Sequence, residues 1–110
     1  MADTILNTIK KLLGYNLDDD YFDDNFLVNI NASVISLEQL GGIDKHIIVT
    51  KETTWTELLD DDQRYDQVKM YIYLKTKISI DPPLSSYGLE SLNHQLDEIA
   101  FLLKISRETR

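Results

Sequence analysis

The sequence predicts an all-α protein, a small bundle of about four to five helices with a long central helix and an αα-hairpin at its C-terminal end. Two observations carry this. Apolar residues recur at spacings of three and four through most of the chain, and capping residues precede the periodic stretches while glycine or proline follows them. The period lapses only around residues 43–52, which read as an irregular extended arm or small hairpin. A length of 110 residues predicts a single domain over residues 1–110. Folding at this size should remove roughly two thirds of the chain's accessible surface from water, enough for one core.

The first helix is predicted behind an Asp3 cap, with Ile5, Leu6, Ile9, Leu12 and Leu13 as its apolar set. Lys10 and Lys11 fall in its last turn, where they suit the helix dipole, and Gly14 supplies a left-handed stop. The acidic run Asp18-Asp19-Asp20-Tyr21-Phe22-Asp23-Asp24 invites comparison with a calcium loop. Such a loop needs glycine at its sixth position and glutamate at its twelfth; counting from Asp18 these are Asp23 and Asn29, and from Asp20 they are Asn25 and Asn31. The run reads instead as a cap and first turn of a second helix. That helix carries the stripe Leu27, Ile30, Val34, Leu37, widened by Phe26 and ended by Gly41-Gly42.

Thr54-Trp55-Thr56-Glu57 matches a capping box and opens a short helix reaching Leu59, with Trp55 as a core anchor. Asp60-Asp61-Asp62 caps the next helix, predicted from Gln63 to Ile80. Val68, Tyr71, Ile72 and Ile78 form one face, while Met70, Tyr73 and Leu74 put apolar surface on others. A helix apolar nearly all round is buried on several sides, by its own chain or by a neighbouring subunit. Pro82 and Pro83 then make a stiff corner after Asp81. Ser85 or Ser86 caps the last helix, whose stripe is Leu89, Leu92, Leu96, Ile99 and Leu103.

Nineteen Asp and Glu against eleven Lys and Arg give a formal charge of −8, which argues against binding nucleic acid through phosphate neutralisation. With no cysteine there is neither a disulfide nor a thiolate metal site. The N-terminus has no secretory pattern, and no apolar run is long enough to span a bilayer, so no membrane association is expected. His46 and His94 lack ligand spacing, no glycine-rich phosphate loop exists, and Ser85-Ser86 has no base placed beside it. The sequence calls for no cofactor, no metal and no catalytic residue, and it is read as a non-enzyme.

The stretch "VKMYIYLKTKISIDPPLSSYGLESLNHQLDEIAFLL", preceded by "TTWTELLDDD", resembles the small α-helical head–tail connector (adaptor, or head-completion) proteins of long-tailed bacteriophages. The resemblance is strongest from Thr53 to Leu103. Its most specific elements are Trp55 in its capping box, Tyr71-Ile72-Tyr73-Leu74-Lys75, the Asp81-Pro82-Pro83 corner and the leucine stripe. It implies a structural virion protein at the head–tail junction, assembled in the host cytoplasm. Copies would form a ring, dodecameric like the portal, that docks beneath the portal protein and extends the DNA channel toward a stopper or tail-completion protein.

A ring needs two different patches per subunit. Met70, Tyr73 and Leu74, with Ile47, Ile48 and Val49 of the arm, are the candidates for subunit contacts. The arm is expected to be mobile in the free subunit and to order against a neighbour. Lys104, Arg107 and Arg110 make the C-terminal end the one net basic terminus and a candidate portal contact. Asp60, Asp61, Asp62 and Asp66, or Asp18 to Asp24, are candidates for an acidic channel lining that repels DNA. A second class remains, an acidic phage-type protein that mimics DNA to occupy a nucleic-acid enzyme. A mimic should spread carboxylates along one exposed face, whereas here they cluster in two blocks that read as helix starts.

Overall fold

A computed structural model describes residues 4–40, 43, 47–59 and 65–108. Five helices follow in order among them: α1 (Ile5–Leu12), α2 (Asp23–Leu40), α3 (Trp55–Leu59), α4 (Tyr65–Ile80) and α5 (Ser86–Glu108). The expected Asp3 cap, the Gly41-Gly42 stop, His46 and Asp60 to Asp62 lie outside the described residues. So does Arg110, together with the side chain of Arg107.

α1 is capped by Thr4, whose side chain accepts from the Asn7 amide. The reason lies one residue on, where the Ile5 amide donates to the Thr53 carbonyl and Thr4 forms an isolated antiparallel bridge with Thr54. That bridge holds Thr4 extended, as a cap must be. At the other end Gly14 has φ 82, its amide donates to Lys11 and that of Tyr15 to Lys10, both to main-chain carbonyls. This is a Schellman stop, the left-handed ending that glycine allows at least steric penalty.

α4 packs against α1, α2 and α5. Val68, Tyr71, Ile72, Leu74 and Thr76 are buried, so its broad apolar surface is covered mostly by its own chain. The core gathers Ile5, Leu6 and Ile9 of α1, Phe26, Ile30, Val34 and Leu37 of α2, Trp55 and Leu58 of α3, and Leu103 of α5. Burying each such side chain contributes on the order of 2 kcal/mol. α3 is held by the expected capping box, with Glu57 amide to Thr54 Oγ1 and Thr54 amide to Glu57 Oε2, each 3.4 Å. The Trp55 indole N–H donates to Thr8 Oγ1 at 2.9 Å, which ties α3 onto α1.

The corner between α4 and α5 behaves as the prolines dictate. The last helical bond is Asp81 amide to Lys77 carbonyl, the chain turns through 82–84, and Ser85 caps α5 by accepting from the Gly88 amide at 3.0 Å. A Cβ on Gly88 would sit 2.9 Å from Pro83 Cβ, so close approach of the corner to the first turn of α5 demands glycine here. α4 and α5 pack together across this corner as an αα-hairpin.

The leucine stripe of α5 is less covered than its regularity suggests. Leu103 is fully buried, Leu96 and Ile99 lie half-buried against the core, and Leu89 and Leu92 are also half-buried. The molecule measures 41 × 38 × 19 Å. A thickness near two helix diameters corresponds to about two layers of helices.

Candidate interaction surfaces

The acidic loop before α2 is built around a buried lysine. Lys10, 2% exposed, donates to Asp23 Oδ1 at 2.8 Å, to the Asp19 carbonyl at 2.6 Å and to the Leu17 carbonyl at 3.4 Å. All three ammonium protons thus have acceptors. The loop's own polar groups close Asx turns, with Asn16 accepting from the Asp18 amide and Asp19 from the Tyr21 amide. Of the acids from Asp18 to Asp24, only Asp23 is buried; the others are exposed. From its charge, Lys10 is expected to serve the helix dipole in the last turn of α1. Its position four residues after Leu6 and three before Leu13 places it on the apolar face instead.

α2 has two apolar faces. At about 100° per residue, Phe26, Ile30, Val34 and Leu37 share the inner face, and the paired Asp23 falls beside them. The outer face carries Asp24, Leu27, Val28, Asn31 and Ile35, of which Val28 is 69% exposed. Residues 47–49 cross this face. Asn31 holds them with two side-chain bonds to one residue: its Oδ1 accepts from the Val49 amide at 2.8 Å and its Nδ2 donates to the Val49 carbonyl at 3.0 Å. One asparagine therefore does for this segment what a neighbouring strand would do. The described part of the arm is extended and forms no hairpin, and Val49 is tied to α2 through Asn31. Between it and α2 lies an open groove of about 710 Å³, walled by Leu27, Val28, Ile35, Ile47 and Ile48 with Asp24 at the rim.

The candidate contact residues divide accordingly. Ile48 is 76% exposed, Met70 is exposed, and Ile47 and Tyr73 are half-buried. Val49 and Leu74 are buried in their own subunit and are not available to a neighbour, because Asn31 draws the Val49 backbone inward and Leu74 faces into the helical packing of α4. Trp55 is buried, while Pro82 and Pro83 lie at the turned corner. Asp66 is exposed in the first turn of α4. Lys104 is exposed on α5, and the backbone of Arg107 continues that helix. His94 is exposed and lies 3.1 Å from Glu98 one turn on.

α5 carries a surface that the leucine stripe concealed. Phe101, Leu102 and Ile105 are all exposed, with Phe101 at 62%. Measured around the helix from buried Leu103, Phe101 and Ile105 lie nearly opposite, at about 160° and 200°. They lie on the side of α5 away from Leu103 and the core. The signal was present in "IAFLLKI" as a second set of apolar residues out of phase with the first.

None of the described helices is long and apolar enough to cross a membrane. Comparison with curated proteins and with solved structures finds no match to this chain. Residues 5–110 match the family model described as "Phage connector protein". A match over nearly the whole chain, together with an all-helical fold bearing exposed apolar surfaces on two different helices, assigns this protein to the phage connector family, the structural proteins of the virion's head–tail connector.

Proposed function

We propose that this chain, acting as one domain, is the connector subunit that docks beneath the portal ring of a long-tailed phage. Copies form a ring matched to the portal, extend its DNA channel and present the far side to a stopper or tail-completion protein. The observation that carries the reading is the family match from residue 5 to residue 110. The subunit works through surfaces and performs no catalysis, and it waits in the host cytoplasm until a filled head accepts it.

Two features support this reading. Two unlike apolar patches on one chain suit head-to-tail assembly, which a ring requires. A charge of −8 suits a channel that passes DNA without retaining it, since affinity for a duplex comes chiefly from counterion release at neutralised phosphates. Asp66 and the neighbouring Asp60, Asp61 and Asp62 are the proposed lining, with the exposed acids of the Asp18 to Asp24 loop as the other choice. Lys104, Arg107 and Arg110 at the basic end are the proposed portal contacts.

The test is a pull-down on the portal encoded by the same phage genome, paired with a gel shift on duplex DNA. Portal capture without DNA retention at physiological salt is expected, and removal of residues 104–110 should weaken the capture. Tight DNA binding by the free subunit would sink the channel reading. Inhibition of a nucleic-acid enzyme with no affinity for the portal would favour the DNA-mimic alternative.

A further inference from the structure

We propose that a hollow between the start of α2 and the end of α4 receives an arginine side chain of a partner protein. The hollow has a volume of about 410 Å³. Tyr15 and Phe22 line it with aromatic rings, Asn25, Asn29 and Ser79 with polar groups, and Val28 and Ile80 with aliphatic ones. Nothing in this lining depends on the connector reading.

The lining selects its ligand by charge and by hydrogen bonding. It contains no lysine or arginine. Asn29 Nδ2 donates to the Asn25 carbonyl at 2.9 Å, which leaves Asn29 Oδ1 open as an acceptor. The side chains of Asn25 and Ser79 make no hydrogen bond among the described residues, so their oxygens are open as well. Asp24 adjoins Asn25 in the first turn of α2 and is exposed. Lys77, on the last turn of α4, is turned to Asp81 at 3.7 Å. An anion would meet oxygens and a carboxylate here, and a wholly apolar group would strand the amides. A guanidinium suits all the parts. Its plane lies against an aromatic ring, its five donors reach several acceptors at once, and its aliphatic stem covers Val28 and Ile80. An ammonium is more strongly hydrated and has no plane to stack.

The rings are in place before any ligand arrives. Tyr15 meets Phe26 edge-on with centroids 5.0 Å apart and Phe22 at 6.4 Å, and Phe22 meets Tyr21 at 4.7 Å. Lys10 clamps the loop that carries them. Little ordering is left to oppose binding. Apolar surface also continues outside the hollow, since Val28 is 69% exposed and Phe22 42%. A free guanidinium ion would leave that surface wet, whereas residues flanking an arginine in a protein would cover it. The chain's charge of −8 steers a basic protein toward the site.

The probe is a blocked pentapeptide with one arginine between two leucines. It is titrated into the isotope-labelled full chain while the Asn29 side-chain amide is followed by NMR. Saturable binding with a Kd below about 1 mM is expected. Citrulline has nearly the shape of arginine without its charge, and its peptide should bind roughly tenfold more weakly. Phe22→Leu keeps an apolar wall but loses the ring, and should weaken binding about threefold. Asn25→Asp should tighten binding and Asn25→Lys should abolish it. Both Asn25 variants change an exposed position, and thermal melts close to that of the parent chain would show that the fold is kept.

No saturable shift at Asn29 by about 10 mM peptide would overturn the proposal. So would equal binding of the citrulline peptide, or weaker binding by Asn25→Asp. A free guanidinium ion that matches the peptide would overturn a protein side chain as the occupant. Asn29 signals that move with chain concentration alone would assign the hollow to a second copy and overturn it too. The peptide involves no portal, so its failure leaves the connector reading standing. A chain that binds the peptide but never captures portal would keep the arginine site and lose that reading.

Discussion

The two faces of α2 are alike in composition and opposite in fate. Each carries an aspartate at its start and aliphatic residues behind it. On the inner face Asp23 meets Lys10, and Phe26, Ile30, Val34 and Leu37 disappear into the core. On the outer face Asp24 stands in solvent, and Val28 and Ile35 line an open groove beneath residues 47–48. The same kinds of residue thus stabilise the fold on one side and offer a surface on the other. What decides between them is whether another element lies above. On the outer face of α2 the described residues above it are only those of the 47–49 segment.

The inner face should be the fragile one. Lys10→Met would leave the Asp23 carboxylate and two loop carbonyls facing an apolar side chain. Breaking a buried pair from one end costs about 3–5 kcal/mol, a large share of a small domain's stability. A second change, Asp23→Leu, should restore much of that loss by removing the stranded charge. Urea denaturation of the two variants measures both effects. Equal stability of Lys10→Met and the parent chain would show that the pair is not buried in solution.

The next comparison uses one chemistry on both faces. Ile30→Ala should destabilise by about 2–5 kcal/mol, since it opens a cavity under α4. Ile35→Ala should stay within about 0.5 kcal/mol for the monomer. Similar losses at the two positions would mean that the outer face is covered within the subunit.

On the outer face stands Asn31. Its replacement by alanine removes both bonds to Val49 and should cost about 1–2 kcal/mol. Native-state hydrogen exchange should then show the Val49 amide exposed before any global opening. If its protection is unchanged, some other contact holds the segment. A smaller effect of opposite sign is expected on α4, where the Thr76 hydroxyl is fully buried with no hydrogen-bond partner among the described residues. Thr76→Val should stabilise by about 1 kcal/mol, visible as a raised melting temperature.

Local rules made part of this molecule legible from its residues. Gly14, the Thr54–Glu57 box, the proline corner with its serine cap, and the inner stripe of α2 all follow from backbone chemistry or one helical period. Other features depend on what lies across a helix and were hidden for that reason. Lys10 was read by its charge, although its place in the helical repeat puts it under the acidic loop. One stripe on α2 and one on α5 drew attention away from the second set on each. Asn31, one polar residue among apolar ones, gave no hint that it would replace a strand partner. The interface candidates Val49 and Leu74 lie buried in the subunit, since apolar character alone does not tell a core residue from a surface one.

The central claim is that this flat, two-patch helical subunit assembles head-to-tail on a portal. Electron microscopy of the purified chain mixed with the portal of its own phage tests it most directly. The expected image is a closed ring of this chain capping one end of the portal channel. Portal rings that stay bare at saturating concentrations of the chain would contradict the claim.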